Sequence, residues 1–523
     1  MATSPPFPPD AVLLGPRRMA EADARTIALG TPGIVLMERA GRAIVRAITA
    51  RFPPTPTLVL CGPGNNGGDG WVVARRLEAL GWPVRVTSLV DPARLKGDAA
   101  AAFARRAGPW SAELPGELDD RWLVVDALFG AGLDRPLEGT ARALVERLAR
   151  HRGPIVAVDV PSGVDGASGV VLGAAAPARL TVTFCRPKPG HLLLPGRELA
   201  GELVVADIGI PDSVVAEVDE GLRRNDPSWW AALLPRRDAR AHKYRFGHAV
   251  VVGGPAHATG ATRLAARAAL RVGAGLVSVA AHPEALPIYA AALTTVMTKP
   301  CADADALDRL LADPRLNAWL IGPGAGVGEA TRVAAQQLAR SGRPLVLDAD
   351  ALTSFASERS ALLDVLHGGC VLTPHDGEYA RLFAHTGDRL ARARAAAAEC
   401  GAVVLLKGAD TVVAAPDGRA AILADAPPAL ATAGTGDVLA GTILGLLAQG
   451  LPAFEAAAAG AWLHARAGAL AGPGLIAEDL PDRLPAALAE ARGQREAVAP
   501  AARPTAGAGH LAQVGFQGRF LFG

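Results

Sequence analysis

Apolar residues run along this chain in two rhythms. Between residues 19 and 48 they recur at helical spacing among Glu and Arg, with a break at Gly30-Thr31-Pro32-Gly33. Short apolar runs then follow at residues 57–61, 122–125 and 154–158, with the strand-like alternation of 84–89 between the first two, each bounded by polar or glycine-rich sequence. Such runs predict strands buried on both faces, with a helix over 71–80 between the first two. The second half repeats the pattern at residues 249–252, 319–321, 344–347, 371–372 and 403–406, with a helix over 259–274. The longest apolar stretch, 438–463, is broken by Gln449, Pro452 and Glu455. It predicts two buried helices rather than a membrane span. Strands spaced by helical patterns predict an α/β protein with parallel sheets. Residues 211–238 carry mixed charge and weak periodicity, which places a boundary near residue 225. The expected domains are 1–225 and 226–495, with a Gly/Ala-rich tail at 496–523. Trp229-Trp230 is expected to cover the end of one core.

The polar residues sit where these strands end. The first strand runs into Gly62-Pro63-Gly64-Asn65-Asn66-Gly67-Gly68-Asp69-Gly70, read as a loop ahead of the helix. Strand, glycine loop and helix is the phosphate-binding arrangement of doubly wound sheets. The loop is neither GxGxxG nor a P-loop. Asn65, Asn66 and Asp69 could ligate a cation or hydrogen-bond a ligand. Two further strands end at Asp126 and Asp159, followed by Gly130-Ala131-Gly132-Leu133-Asp134-Arg135-Pro136 and Pro161-Ser162-Gly163. In the second half, Gly434-Thr435-Gly436-Asp437 opens an apolar helix. Bare N–H groups at a helix start suit a phosphate. A carboxylate inside that anion site is suited to taking a proton from a hydroxyl undergoing phosphoryl transfer. A glycine-rich turn with Asp as helix cap would use the same residues.

Composition changes the picture in four ways. Half of the 523 residues are hydrophobic, so each domain can build a full core. The net charge of +2 argues against a dedicated nucleic-acid or membrane surface. The five cysteines are scattered without a CxxC pair, which fits a reducing cytoplasm and no zinc site. The proline-rich start has no signal-peptide pattern. Arginine is the default base here. Lysine occurs only at 96, 188, 243, 299 and 407, so Lys407 at a strand end before Gly408 leans towards function.

From Cys61 to Trp71, at Asp126 to Pro136, at Asp159 to Asp165 and at Met37-Glu38-Arg39-Ala40-Gly41, the first half resembles the epimerase domain of NAD(P)H-hydrate repair enzymes. That family more often has Asn where Arg39 stands. The resemblance implies a Rossmann-like fold that binds hydrated NAD(P)H, with Asn65, Asn66, Gly67, Gly68, Asp69 and Gly130 to Pro136 holding the hydrate. It implies a potassium ion on Asn66, Asp126 and Ser162, and Asp159 as acid/base.

His242-Lys243, Gly260-Ala261, Gly322 to Gly326, Thr373-Pro374-His375 with Glu378, Lys407-Gly408 and Gly434 to Asp437 resemble, in that order, the ADP/ATP-dependent NAD(P)H-hydrate dehydratases, relatives of ribokinase-like kinases. That resemblance implies a ribokinase-like domain in which Ala261, Gly326, His375 and Asp437 approach the hydrate. Lys407, Gly408, Ala409, Asp410, Thr411 and Gly436 would approach ADP, which arrives with Mg2+. Together the two resemblances imply epimerisation of R- and S-hydrates, then dehydration of the S form at the expense of ADP. They imply small-molecule partners and a homo-oligomer. A vitamin or sugar kinase fused to a binding domain, or a nucleotide-sensing scaffold, would share many of these residues.

Overall fold

The computed structural model describes residues 11–113, 119–236, 238 and 240–493. The expected tail at 496–523 lies outside them. Two sheets organise the chain. The first holds six parallel strands in the order β2-β1-β3-β4-β5-β6. These are β1 (Thr57–Cys61), β2 (Val84–Ser88), β3 (Leu123–Ala127), β4 (Ile155–Val158), β5 (Leu180–Phe184) and β6 (Glu202–Ala206). The order reverses between β1 and β3, so their carboxyl ends open a crevice, where ligands bind in doubly wound folds.

The second sheet has ten strands. In chain order they are β7 (Leu222–Arg224), β8 (His248–Val252), β9 (Leu276–Ala281), β10 (Met297–Pro300), β11 (Ala318–Ile321), β12 (Leu345–Leu347), β13 (Cys370–Leu372), β14 (Val403–Leu406), β15 (Thr411–Ala414) and β16 (Ala420–Leu423). Their order is β10-β9-β8-β11-β12-β13-β14-β15-β16-β7, with β15 antiparallel to both neighbours. The switch lies between β8 and β11. The apolar stretch forms two helices, Thr435–Ala448 and Ala453–Ala471, buried along nearly their whole length. No helix among the described residues is long and apolar enough to cross a membrane.

Three expectations change. Residues 65–70 are not a loop: the helix begins at Asn65 and runs to Ala79. Its glycines serve close approach, and none has a positive φ. A Cβ on Gly67 would lie 2.0 Å from the Gly62 carbonyl oxygen, and one on Gly70 would lie 2.8 Å from the Ala127 Cβ. Asp126 lies inside β3 rather than after it, because the ladder to β1 continues to Ala127. The expected boundary near 225 falls after β7, which pairs with β16 in the second sheet. The Trp pair does cover a core end: Trp229 stacks on Phe454 and Trp230 meets Trp462 edge-on, each at 5.7 Å.

Candidate active sites

The first site is a cavity of about 680 Å3 over the carboxyl ends of β1, β3 and β4. Asn65, Asn66, Asp69, the run from Gly130 to Arg135, and Asp159 line it, as the sequence predicts. Gly67 and Gly68 stand behind the wall, against Gly62 and Met37, and Pro136 is not part of the lining.

Asp159 follows β4 with a φ of 67°, a left-handed conformation that turns its carboxylate into the crevice. Its Oδ1 accepts from Lys188 Nζ at 2.7 Å and from Thr183 Oγ1 at 2.9 Å, and its Oδ2 accepts from Ala131 N–H at 2.9 Å. Burial alone would raise its pKa. The Lys188 charge and these hydrogen bonds outweigh burial and hold Asp159 at about 2. His191 donates to the Asp159 carbonyl at 2.8 Å and accepts from the Lys188 N–H at 3.0 Å. Burial and the neighbouring Lys188 lower it to about 4, so it is the neutral imidazole at pH 7. Asp69 is raised well above the usual carboxylate value by burial, then by Asp159 and Asp23.

Below the cavity floor, Ser162 Oγ donates to Asp126 Oδ1 at 2.6 Å and Ser162 N–H donates to Asp126 Oδ2 at 2.9 Å. The Phe129 carbonyl lies 3.2 Å from Ser162 Oγ. Asn66 Nδ2 donates to the Val158 carbonyl at 3.1 Å, and its Oδ1 accepts from the Gly130 N–H at 3.3 Å.

The second site lies over β8, β11, β12, β13 and β14. Gly434 caps the helix Thr435–Ala448 with a φ of 86°. A Cβ there would press to 2.9 Å from Ala477. The cap leaves the N–H groups of Thr435, Gly436 and Asp437 without helical carbonyl partners. Lys407 Nζ sits 2.8 Å from Asp348 Oδ1 and 3.7 Å from Glu378 Oε2. Glu378 in turn accepts the His375 N–H at 2.9 Å. Asp350 accepts the Gly326 N–H at 2.9 Å. Ala261 lies beside Gly324, where a glycine Cβ would meet it at 3.6 Å. Burial, then Asp348 and Asp350, push Asp437 up to about 7 against the opposing pull of Lys407. Burial works to lower Lys407, but Asp348 and Glu378 win and raise it, so it stays charged.

The structure gathers Gly326, His375, Lys407, Gly436 and Asp437 here. Two of their expected companions also reach across to the first half of the chain. Asp410 accepts from the Leu194 N–H at 3.0 Å and pairs with Arg389 at 2.9 Å, and the Ala409 carbonyl accepts from Arg197 at 3.0 Å. Both therefore grip the other half of the chain. Thr411 Oγ1 closes the turn on Gly408. His242-Lys243 precedes β8 and so lies at the sheet's opposite, amino end.

A family model described as NAD(P)H-hydrate dehydratase matches residues 249–488, and one described as YjeF-related protein N-terminus matches residues 33–190. The bifunctional NAD(P)H-hydrate repair enzyme Nnr of Moorella thermoacetica is 42% identical over 87% of this chain and 92% of its own length. The chain belongs to this repair-enzyme family. The Salinibacter ruber enzyme is 40% identical over 91% of this chain and 96% of its own length. The Escherichia coli enzyme is 36% identical over 86% and 87%. Among solved structures, an ADP/ATP-dependent NAD(P)H-hydrate dehydratase from Bacillus subtilis, co-crystallised with ATP and Mg2+, is 29% identical with a TM-score of 0.45 over 51% of this chain and 98% of its own.

Lys188, Thr183 and His191 escaped the sequence reading of the first family site. Asp348 and Asp350, which follow the apolar run at 344–347, were given no role in the second site. Lys188 had a usable signal: it is one of five lysines and follows an apolar run.

Proposed function

We propose that this chain repairs hydrated NADH and NADPH. The first site epimerises the R and S hydrates. The second dehydrates the S hydrate with ADP, releasing AMP and phosphate. One observation carries the reading: a single chain holds two lysine-paired aspartate sites at the carboxyl edges of two separate sheets. The second places a near-neutral carboxylate, Asp437, in the first turn of a glycine-capped helix. Asp437 takes the hydrate's hydroxyl proton as that oxygen bonds to the β-phosphorus of ADP, and AMP departs. The C–O bond then breaks, phosphate leaves with its electron pair, and loss of the neighbouring C–H proton restores the double bond. The N–H groups of the Gly434–Asp437 turn and Lys407 stabilise charge on the moving phosphoryl group.

The oxygen-rich floor of the first site suits a potassium ion on Asn66, Asp126 and Ser162. It would fix the Gly130 turn beneath the hydrate. The carboxylates around Lys407 suit Mg2+ carried in on the nucleotide, and that ion would screen the phosphate charge. The working boundary is better set near residue 220, before β7. The cytoplasm is the compartment that fits free thiols. The test supplies an R/S hydrate mixture with ADP, Mg2+ and K+, and follows the near-ultraviolet band of NADH. Full conversion, with AMP and phosphate formed in equal amounts, is expected. A phosphorylated product that accumulates without NADH would identify a kinase instead.

A further inference from the structure

The epimerase cavity contains a carboxyl group that nothing above uses. Asp23 projects from the inner face of the helix Pro16–Ala28, between the buried residues Met19, Ala22 and Thr26. It lines the same cavity as Asp159, Asp69 and Lys188. Asp159 has its oxygens filled by three donors. Asp23 is half-buried, yet it makes no hydrogen bond or ion pair among the described residues. A carboxyl group placed in a ligand cavity with nothing to hold is unfinished without a ligand.

The groups that face Asp23 come from three other elements. Lys188 and Asp159 act on it from the ends of β5 and β4, Asp69 from the helix Asn65–Ala79, and the Cys185 thiol from the end of β5. Burial is the largest influence on it. Lys188 opposes burial, Asp159 adds to it, and Asp23 ends at about 6. The cavity therefore holds Asp159 fixed in its ionised form beside two carboxyl groups raised by burial, Asp69 and Asp23, of which Asp23 exchanges its proton at about 6. Two carboxyl groups driven apart in this way divide the work of base and acid.

We propose that Asp23 is a second catalytic residue of the epimerase site, the acid that serves the ring nitrogen of the hydrate. This rests on the epimerase reading of that site. The reacting carbon carries a hydroxyl and the ring nitrogen. Asp159 takes the hydroxyl proton, and the oxygen's electrons form a C=O bond. The C–N bond breaks with its pair on nitrogen, which takes the proton of Asp23. Rotation of the freed aldehyde presents its other face. Nitrogen re-adds there, returns its proton to Asp23, and the oxygen recovers the proton held by Asp159. No oxidant or reductant is consumed, and both carboxyl groups end as they began.

The experiment uses the full chain with separated R hydrate and follows S hydrate by chromatography in the absence of ADP. Asp23→Asn is expected to slow interconversion by about 10²–10⁴-fold, with Asp23→Glu recovering part of the loss. Asp23→Ala should respond to added acetate. In the wild type the rate should fall as pH rises through about 6, as Asp23 loses its proton, and that limb should vanish in Asp23→Asn. ADP-driven consumption of S hydrate, carried by the other site, reports that each variant is folded. If Asp23→Asn interconverts the epimers within a few-fold of wild type while Asp159→Asn does not, the role of Asp23 is refuted and the epimerase reading stands. If the wild type itself fails to interconvert them, the epimerase reading falls. If Asp23→Asn is slow but keeps the wild-type pH limb, Asp23 only shapes the cavity and the proposal is overturned.

Discussion

Lys188 and Lys407 hold matching places in two unrelated sheets. Each ammonium lies within 2.8 Å of an aspartate at the carboxyl end of another strand, Asp159 after β4 beside β5, and Asp348 after β12, two strands from β14. The rarity of lysine was enough to mark Lys407 from sequence, and the same argument applied to Lys188. It was missed because its strand, β5, was not predicted. The Asp159–Lys188 pair is buried, so removing one partner strands a charge. Lys188→Met is expected to cost about 3–5 kcal/mol of stability, read by chemical denaturation at pH 7. The lowered Asp159 value fixes the sign of the pH effect. The pair's stabilisation is complete above the ordinary value of 3.8 and is lost as pH falls towards 2. Lys188→Met should therefore differ least from wild type at the acid end, and a constant difference down to pH 2 would argue against the pairing. Asp437 has the opposite sign. Its raised value means that ionisation costs the folded state stability as pH rises from 3.8 through about 7, while activity needs the ionised form. Dehydration should rise with pH through about 7. Asp437→Asn should lower it by about 10²–10⁴-fold while calorimetry still detects ADP binding.

Elements were legible where apolar runs were short and bounded, as at β1, β4, β8 and β14. The strands β5, β6, β7, β9, β10, β15 and β16 were not predicted. β6 is an edge strand with a partly exposed pattern, and β16 reads Ala-Ala-Ile-Leu, which suits a helix equally well. The run from Asn65 to Gly70 was located correctly as part of a site but misread as a loop, because glycine repetition usually signals positive φ. Here the glycines let a helix start press against β1 and β3, which turns Asn65, Asn66 and Asp69 towards the cavity. The contrast is testable within one motif. Gly67→Ala would put a Cβ 2.0 Å from a backbone oxygen, whereas Gly64→Ala meets nothing within 4 Å. The first should destabilise by about 1–3 kcal/mol or more, and the second should shift the thermal midpoint little. Equal midpoints would contradict the close-approach account.

At the scale of the whole molecule, the two halves share more than a linker. Leu192 and Leu193, just past Lys188, belong to the second core, and Leu13 donates its N–H to Leu222 of β7. The turn that carries Asp410 holds the Leu194 N–H and, through Ala409, Arg197. These contacts join distant segments, so periodicity and local motifs could not reveal them. A fragment ending near residue 220 is expected to keep its six-stranded sheet but to melt below the full chain's first half. Identical melting would mean that these contacts contribute nothing.

The division of labour between the two sites is tested most directly by an epimer-resolved time course. Full-length Asp159→Asn is given an R/S hydrate mixture with ADP, Mg2+ and K+. The S form should be consumed at the wild-type rate, and the R form should then decline only as fast as it epimerises without enzyme. Disappearance of the R form as quickly as in wild type would contradict the assignment of epimerisation to the Asp159 site.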